Sequence, residues 1–379
     1  MHHRLIGAVF ALIAGLGLGT AQAAIATTAN HALLMDAESG EVLWQKDAFT
    51  PMPPASMSKL MTIDLLFQRL KDGRMKLTDT LPVSERAWRE RSGSEMFVRV
   101  GDRIAVQDLI RGIVIQSGND ACVVVAEAIG GTVEGFVAMM NTRAKELGLK
   151  QSHFVNPDGL PDPPGQMMSA FDLATLARHI IYSYPDLYHF FGEKDFVWSN
   201  IHQPNRNPLL FNTQGADGLK TGHIDASGYG LVGSAVRNGQ RVILVANGLT
   251  SEKERADEGA RLIEIGFREF RRYQLFKPGD SVAEAEVFGG SDKTVALTVK
   301  APVAITLQVD SRPGMKVAVH YSGPLRAPIA QGQQVGTMSV TAPDFPGMII
   351  PLYAAHDVSQ VGIFGRMMLG LRALFGGNK

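Results

Sequence analysis

The chain has 379 residues, which at roughly 150 residues per domain predicts two or three domains with room for a sizeable core. Hydrophobic residues at 45% and charged residues at 20% exclude wholesale disorder, collagen-like repeats and a multispan membrane protein. Thirty-seven basic and thirty-seven acidic side chains cancel, so no global field points to nucleic acid. The single cysteine, Cys122, forms no internal disulfide, and no metal or other cofactor is expected.

Residues 1–23 read as a secretory signal peptide. Met1-His2-His3-Arg4 is a short basic start, Leu5 to Gly19 an apolar run, and Ala21-Gln22-Ala23 a small-x-small cleavage pattern. The apolar run is shorter than the ~20 residues of a membrane span, so export with cleavage near Ala23 is expected. Ala32 to Trp44 then places two apolar runs around a polar turn containing Gly40, the pattern of a hairpin.

From Ser56 to Lys71 the spacing turns helical, with Leu60, Ile63, Leu66, Phe67 and Leu70 on one face and Gly73 as the stop. A second helix from about Val106 to Ile115 breaks at Ser117-Gly118-Asn119, and a third resumes from Ala121 to Ile129. Polar residues flanking a glycine between apolar helices mark a short loop whose side chains face a cleft. Between Tyr229 and Gly248, Asn238-Gly239 separates two β-rich runs and predicts a type I′ hairpin.

A long helix is expected from about Glu252 to Arg272, with Leu262, Ile263, Ile265, Gly266 and Phe267 inward and the Lys277-Pro278-Gly279-Asp280 turn after it. From Ser281 to about Val358 the apolar runs are short, β-rich and punctuated by Gly and Pro, which argues for a separate all-β domain. Val361, Phe364, Met368, Leu371 and Phe375 share one face of a last helical stretch that also carries Arg366 and Arg372. The pattern fits an amphipathic helix lying on an anionic leaflet, and it equally fits a terminal helix packed on the protein.

Ser56-Met57-Ser58-Lys59 sets a hydroxyl and an amine three positions apart, on one face at the start of a helix. A serine is a weak nucleophile until a neighbouring base takes its proton, and a lysine whose surroundings lower its pKa is such a base. Ser117-Gly118-Asn119 lies in the loop between helices. Lys220-Thr221-Gly222 precedes a β-rich run, where small residues on an edge strand leave room for an extended peptide and the lysine and threonine face a carboxylate. Singly these motifs also fit a capping serine, a helix break and a solvated lysine; in this order they carry more.

The set S-x-x-K, S-x-N, K-T-G in this order resembles the penicillin-binding proteins and serine β-lactamases. Further segments resemble one branch, the low-molecular-mass D-alanyl-D-alanine carboxypeptidases: Pro54 to Thr62, Gly112 to Ala121, Phe154-Val-Asn-Pro-Asp-Gly-Leu160, Gln203 to Asn207, and Asp217 to His223. The resemblance implies an α/β (α+β) serine β-lactamase or penicillin-binding transpeptidase-like catalytic domain over 24–276, a small all-β domain over 277–358, and an amphipathic anchoring helix over 359–379. It further implies a periplasmic enzyme attached to the inner membrane surface.

By the same resemblance Ser56 is the acylated nucleophile, Lys59 its base, and Ser117 a proton relay. Asn119 holds the peptide backbone, and Lys220, Thr221 and Gly222 line the place of the substrate carboxylate. The backbone amides of Ser56 and His223 form the oxyanion hole. Arg206 and Arg255 stand where this branch has arginines near the carboxylate pocket, although as residue types they equally fit surface positions. The implied partners are a peptidoglycan stem peptide ending in D-Ala-D-Ala and β-lactam antibiotics, with no nucleic acid. A D,D-endopeptidase that cuts cross-links, a β-lactamase and a non-catalytic penicillin-binding scaffold are the rival readings; no motif resembles the deacylating glutamate loop of class A β-lactamases.

Overall fold

The computed structural model describes residues 25–90 and 92–362. The expected export signal lies outside the described residues, as does the terminal helix from Ile363 onward. The first hairpin forms as β1 (His31–Asp36) and β2 (Val42–Lys46). A turn of 3-10 helix, Ala55–Ser58, runs into α1 (Lys59–Lys71), which stops before Gly73 at φ +70°. The short strands β3 (Thr80–Pro82) and β4 (Arg103–Ala105) pair around α2 (Glu85–Arg89).

Helix α3 (Val106–Val114) follows, then α4 (Asn119–Gly130), α5 (Val133–Glu146) and α6 (Ala170–Ser183). The hairpin β5 (Asp195–Trp198) and β6 (Ile201–Pro204) and the single turn α7 (Leu209–Asn212) lead to three long strands: β7 (Ala216–Ile224), β8 (Gly228–Arg237) and β9 (Gln240–Leu249). Asn238 and Gly239, both at positive φ, make the turn between β8 and β9, as the Asn-Gly pair predicts.

These strands form one antiparallel five-stranded sheet in the order β2-β1-β9-β8-β7. Because side chains alternate across a sheet, Leu34, Leu231, Val242 and Leu244 pack on one face against Leu262 and Ile263 of α8 (Glu252–Glu269). Leu33, Met35, Val232, Ile243 and Val245 pack on the other face with Met57, Leu60 and the apolar side of α6. With both faces covered, β8 and β9 read as continuous apolar runs rather than as an alternation. Each large side chain buried there contributes about 1.5–3 kcal/mol by leaving water.

The helix expected to run to Arg272 ends at Glu269. Phe270–Phe276 is instead a strand, β10, paired antiparallel with β13 (Val303–Gln308). Arg271 and Arg272 are good helix formers and prolong the helical pattern, but pairing with β13 overrides that local preference. Strand pairing within the C-terminal part therefore begins at Phe270, ahead of the boundary expected after Phe276.

The remaining strands are β11 (Ser281–Phe288), β12 (Thr294–Thr298), β14 (Lys316–His320), β15 (Leu325–Arg326), β16 (Gln334–Ala342) and β17 (Phe345–Ala354). They form a six-stranded sheet in the order β14-β16-β17-β12-β11-β15. It closes with β13 over a core that includes Val295, Leu297, Ile305, Met338, Val340 and Leu352. Pairing continues to Gln360, which bridges Gly290, so the first residues of the expected terminal helix are extended.

A polar joint ties the two parts. Thr306 on β13 donates to the buried Asp36 carboxylate at the end of β1 (2.8 Å), and Arg272 on β10 pairs with Glu38 (2.5 Å).

Candidate active site

Three segments far apart in sequence converge beside the edge strand β7. Ser56 sits in the 3-10 turn after Ala55, whose backbone takes the left-handed φ of +49°. Lys59 begins α1 and is 0% exposed, so its side chain runs inward rather than to solvent. Lys59 Nζ stands 2.7 Å from Ser56 Oγ and 2.7 Å from Asn119 Oδ1, and it also hydrogen bonds the main-chain carbonyl of Asp158.

The amide and carbonyl oxygens among these partners only accept. A neutral amine has two hydrogens and one lone pair. Giving its hydrogens to Asn119 Oδ1 and Asp158 O leaves the lone pair for the Ser56 hydroxyl. Burial lowers the Lys59 pKa from the ordinary 10.5, which favours that neutral form.

The second motif is held open by strain. Ser117 adopts φ +62°, a region a serine rarely occupies, and Asn119 begins α4 directly after it. Lys220 Nζ donates to Ser117 Oγ (3.0 Å) and to its neighbour's Thr221 carbonyl (2.9 Å). Lys220 is buried, and its pKa is lowered well below 10.5 first by loss of water, then by the Lys59 and Arg206 charges.

Thr221 is also buried, whereas Ser56 is partly open and His223 exposed. A Cβ added at Gly222 would stand 2.9 Å from the Pro54 carbonyl oxygen and 3.1 Å from Met57 N. The third motif therefore lies against the nucleophile's turn because it has no side chain there.

Arg206 hydrogen bonds Ser94 Oγ at the mouth of the site. Arg255, at the start of α8, lies 5.6 Å over the Tyr229 ring, which in turn stacks on His223 at 3.9 Å. The loop that contains Ser94 is itself bound to the second motif: Asn119 N donates to the Ser94 carbonyl (2.8 Å), and Asn119 Nδ2 donates to the Ser92 carbonyl. Asp120 accepts from Met96 N (2.8 Å) and Val98 N (3.0 Å) on the same loop.

Hydrogen bonds, ring contacts and close backbone approach thus link the three motifs, Arg206 and Arg255 into one neighbourhood. Cys122 lies in the apolar wall of α4, and burial pushes its thiol up to about 12, so it stays protonated and unreactive.

Two contributors escape motif reading. The Asp158 carbonyl lies in the Phe154 to Leu160 segment that carries the family resemblance, and its Asn156-Pro157-Asp158-Gly159 run signals a tight loop, but no side chain announces the part its backbone oxygen plays. The loop over 92–98 carries small polar residues, Ser92-Gly93-Ser94, whose only sequence signal is that composition.

A serine hydrogen bonded to a buried lysine amine one helical turn away, roofed by a second serine and asparagine and floored by a K-T-G edge strand, is the arrangement of the active-serine, penicillin-recognising class of acyl-transferring enzymes. Comparison with known proteins narrows it. The family model of D-alanyl-D-alanine carboxypeptidases of the S11 peptidase group matches residues 19–250, and that of the penicillin-binding protein 5 C-terminal domain matches residues 270–360. The chain belongs to this D-alanyl-D-alanine carboxypeptidase family.

It is 37% identical over 342 residues to the D-alanyl-D-alanine carboxypeptidase DacD of Salmonella typhimurium, covering 88% of this chain and 87% of that one. With DacA of Escherichia coli it shares 35% over 353 residues, or 90% and 87% of the two chains. Penicillin-binding protein 5 of Haemophilus influenzae superimposes with a TM-score of 0.79 at 35% identity, over 88% of this chain and 98% of that one. Penicillin-binding protein D2 of Listeria monocytogenes, solved in a cefotaxime-bound form, superimposes with a TM-score of 0.60 at 29% identity, over 65% and 100% of the two chains.

Proposed function

We propose that this protein is a serine-type D-Ala-D-Ala carboxypeptidase that removes the terminal D-alanine from peptidoglycan pentapeptides through an acyl-enzyme on Ser56. The observation that carries the reading is the placement of the buried Lys59 amine between Ser56 Oγ and two obligate acceptors. The Ser56 proton passes to the Lys59 lone pair as Oγ attacks the carbonyl carbon of the penultimate D-alanine. The backbone amides of Ser56 and His223 hold the developing oxyanion.

The substrate extends along the free edge of β7, with its carboxylate toward Lys220, Thr221, Arg206 and Arg255. The proton held on Lys59 reaches the departing D-alanine nitrogen through the Ser117–Lys220 pair, and the peptide C–N bond breaks. Water then attacks the ester carbonyl, loses its proton to Lys59, and Ser56 Oγ leaves with a proton returned.

A β-lactam mimics the same dipeptide but keeps its leaving group tethered, so its acyl-enzyme persists. Incubation with penicillin followed by mass spectrometry is expected to show one adduct, on Ser56. A purified pentapeptide is expected to lose D-alanine, and the Ser56→Ala protein to release none; D-alanine release by that variant overturns the assignment. A cross-linked dimer in the same assay reads out the endopeptidase alternative.

We infer further that the mature enzyme acts in the periplasm, attached to the inner membrane surface. This rests on the signal-peptide pattern of residues 1–23 and on the amphipathic spacing from Val361 to Phe375. Deleting the residues after Val358 is expected to release the protein from membranes, and unchanged membrane association removes the anchor.

A further inference from the structure

The geometry of Lys59 depends on a backbone atom, the Asp158 carbonyl, which has no side chain of its own to fix it. Thr62 Oγ1 donates to the preceding Pro157 carbonyl (2.6 Å) and Asn156 Oδ1 accepts from Gly159 N (2.8 Å), and beside these a clamp holds the start of the loop that presents it. Gln166 is 6% exposed, and its Oε1 accepts from two successive amides of that loop, Val155 N (2.9 Å) and Asn156 N (3.1 Å). Its Nε2 donates to Ser58 Oγ (2.9 Å), and the fully buried Ser58 hydroxyl donates in turn to the Ala55 carbonyl (3.0 Å). One side chain therefore grips both the loop leading to Asp158 and the turn that carries Ser56.

We propose that Gln166 is a positioning residue for acylation: by joining the Asp158 loop to the Ser56 turn it brings the carbonyl and the hydroxyl to the Lys59 amine at once. This rests on the reading of Ser56 and Lys59 as nucleophile and base. The chemical reason is the count of sites on the amine. While Asp158 O takes one hydrogen and Asn119 Oδ1 the other, the lone pair meets the Ser56 hydroxyl. If the loop drifts, a hydrogen of the amine turns toward Ser56 Oγ, and the amine donates to the nucleophile instead of taking its proton. The ammonium form also loses a charge-assisted acceptor, so the amine titrates lower.

These two effects give the clamp a signature that mere loss of folding does not. The test is the rate of Ser56 acylation by a fluorescent penicillin, per site able to react, followed against pH with the full mature chain. Gln166→Leu is expected to slow acylation roughly tenfold to a hundredfold and to move the acid limb of the profile down by about one pH unit. Gln166→Glu keeps an oxygen for the two amides and is expected to recover the rate to within about fivefold of wild type. Ser58→Ala, which cuts only the link to the turn, is expected to shift rate and limb in the same direction by less.

Wild-type rate and profile in Gln166→Leu overturn the proposal. So does a slowed Gln166→Leu whose limb has not moved and which Gln166→Glu does not rescue, since that marks a structural role only. If Gln166→Leu does not fold, Ser58→Ala decides, and a wild-type rate and profile there overturn the clamp. A wild-type protein that takes no penicillin on Ser56 refutes the nucleophile assignment instead, before any variant is compared.

Discussion

Among the described residues up to Glu269, the core closes over Lys59, Lys220, Asp64, Asp120, Asp158 and Asp172, whereas from Phe270 onward the buried polar side chains are Thr306 and Ser311. Removing a charge from water costs several kcal/mol per ion even after the protein relaxes, so a fold keeps such groups where something else requires them. In the part up to Glu269 the buried lysines are the groups to which the proposed function gives its chemistry, and buried carboxylates tie its scaffold. Asp120 receives the amides of the 92–98 loop, and Asp64 takes a 2.8 Å hydrogen bond from Arg143 that ties α1 to α5. The β-rich part holds itself together with an apolar core and hydrogen-bonded ladders.

The largest effect is expected from Lys59→Met. It is expected to lower penicillin acylation by roughly 10³-fold while leaving the melting temperature equal or higher, because an amine no longer has to be buried. In the wild type, the folded state lowers the Lys59 pKa, so below 10.5 the unfolded chain binds the proton more readily and stability rises with pH toward that value. The acylation rate should likewise fall as pH drops through the lowered Lys59 pKa. A pH-independent rate removes Lys59 as the base.

Met338→Ala makes the opposite experiment in the β-rich core, where Met338 is 0% exposed. It should cost about 2–5 kcal/mol in denaturant unfolding, with the acylation rate of the folded protein unchanged.

Gly222→Ala places a methyl group against the Pro54 carbonyl. An expected loss of about tenfold or more in acylation, with the far-UV spectrum of wild type, separates close approach from folding. The smallest effect is expected at the joint. Thr306→Val removes one hydrogen bond to Asp36 and should cost about 1 kcal/mol, read from the midpoint of urea unfolding, with no change in acylation.

Much of this was legible in the sequence because the chemistry is carried by side chains at short spacing. Ser56 and Lys59 share one helical turn, and Lys220 to Gly222 share one strand, so local geometry predicts their mutual placement. The Asn238-Gly239 hairpin was equally readable, since only a turn with two positive φ values favours that pair. The end of the long helix was not, because Arg271 and Arg272 fit a helix and a strand alike and the choice is made by β13, some thirty residues on. The Asp158 carbonyl and the Gln166 clamp were invisible for a related reason. They act through backbone atoms and a loop whose shape is settled only when distant segments pack.

Strand β7 closes the five-stranded sheet on one side with no further strand beside it among the described residues, and an unpaired edge in any sheet protein invites the wrong neighbour, a strand from another copy. Here the edge is not bare: Lys220 within it is tied to Ser117 (3.0 Å), and Arg206 hydrogen bonds Ser94 on the loop held to Asn119. Side chains that line an open edge in this way are one of the means by which sheet proteins discourage edge-to-edge pairing.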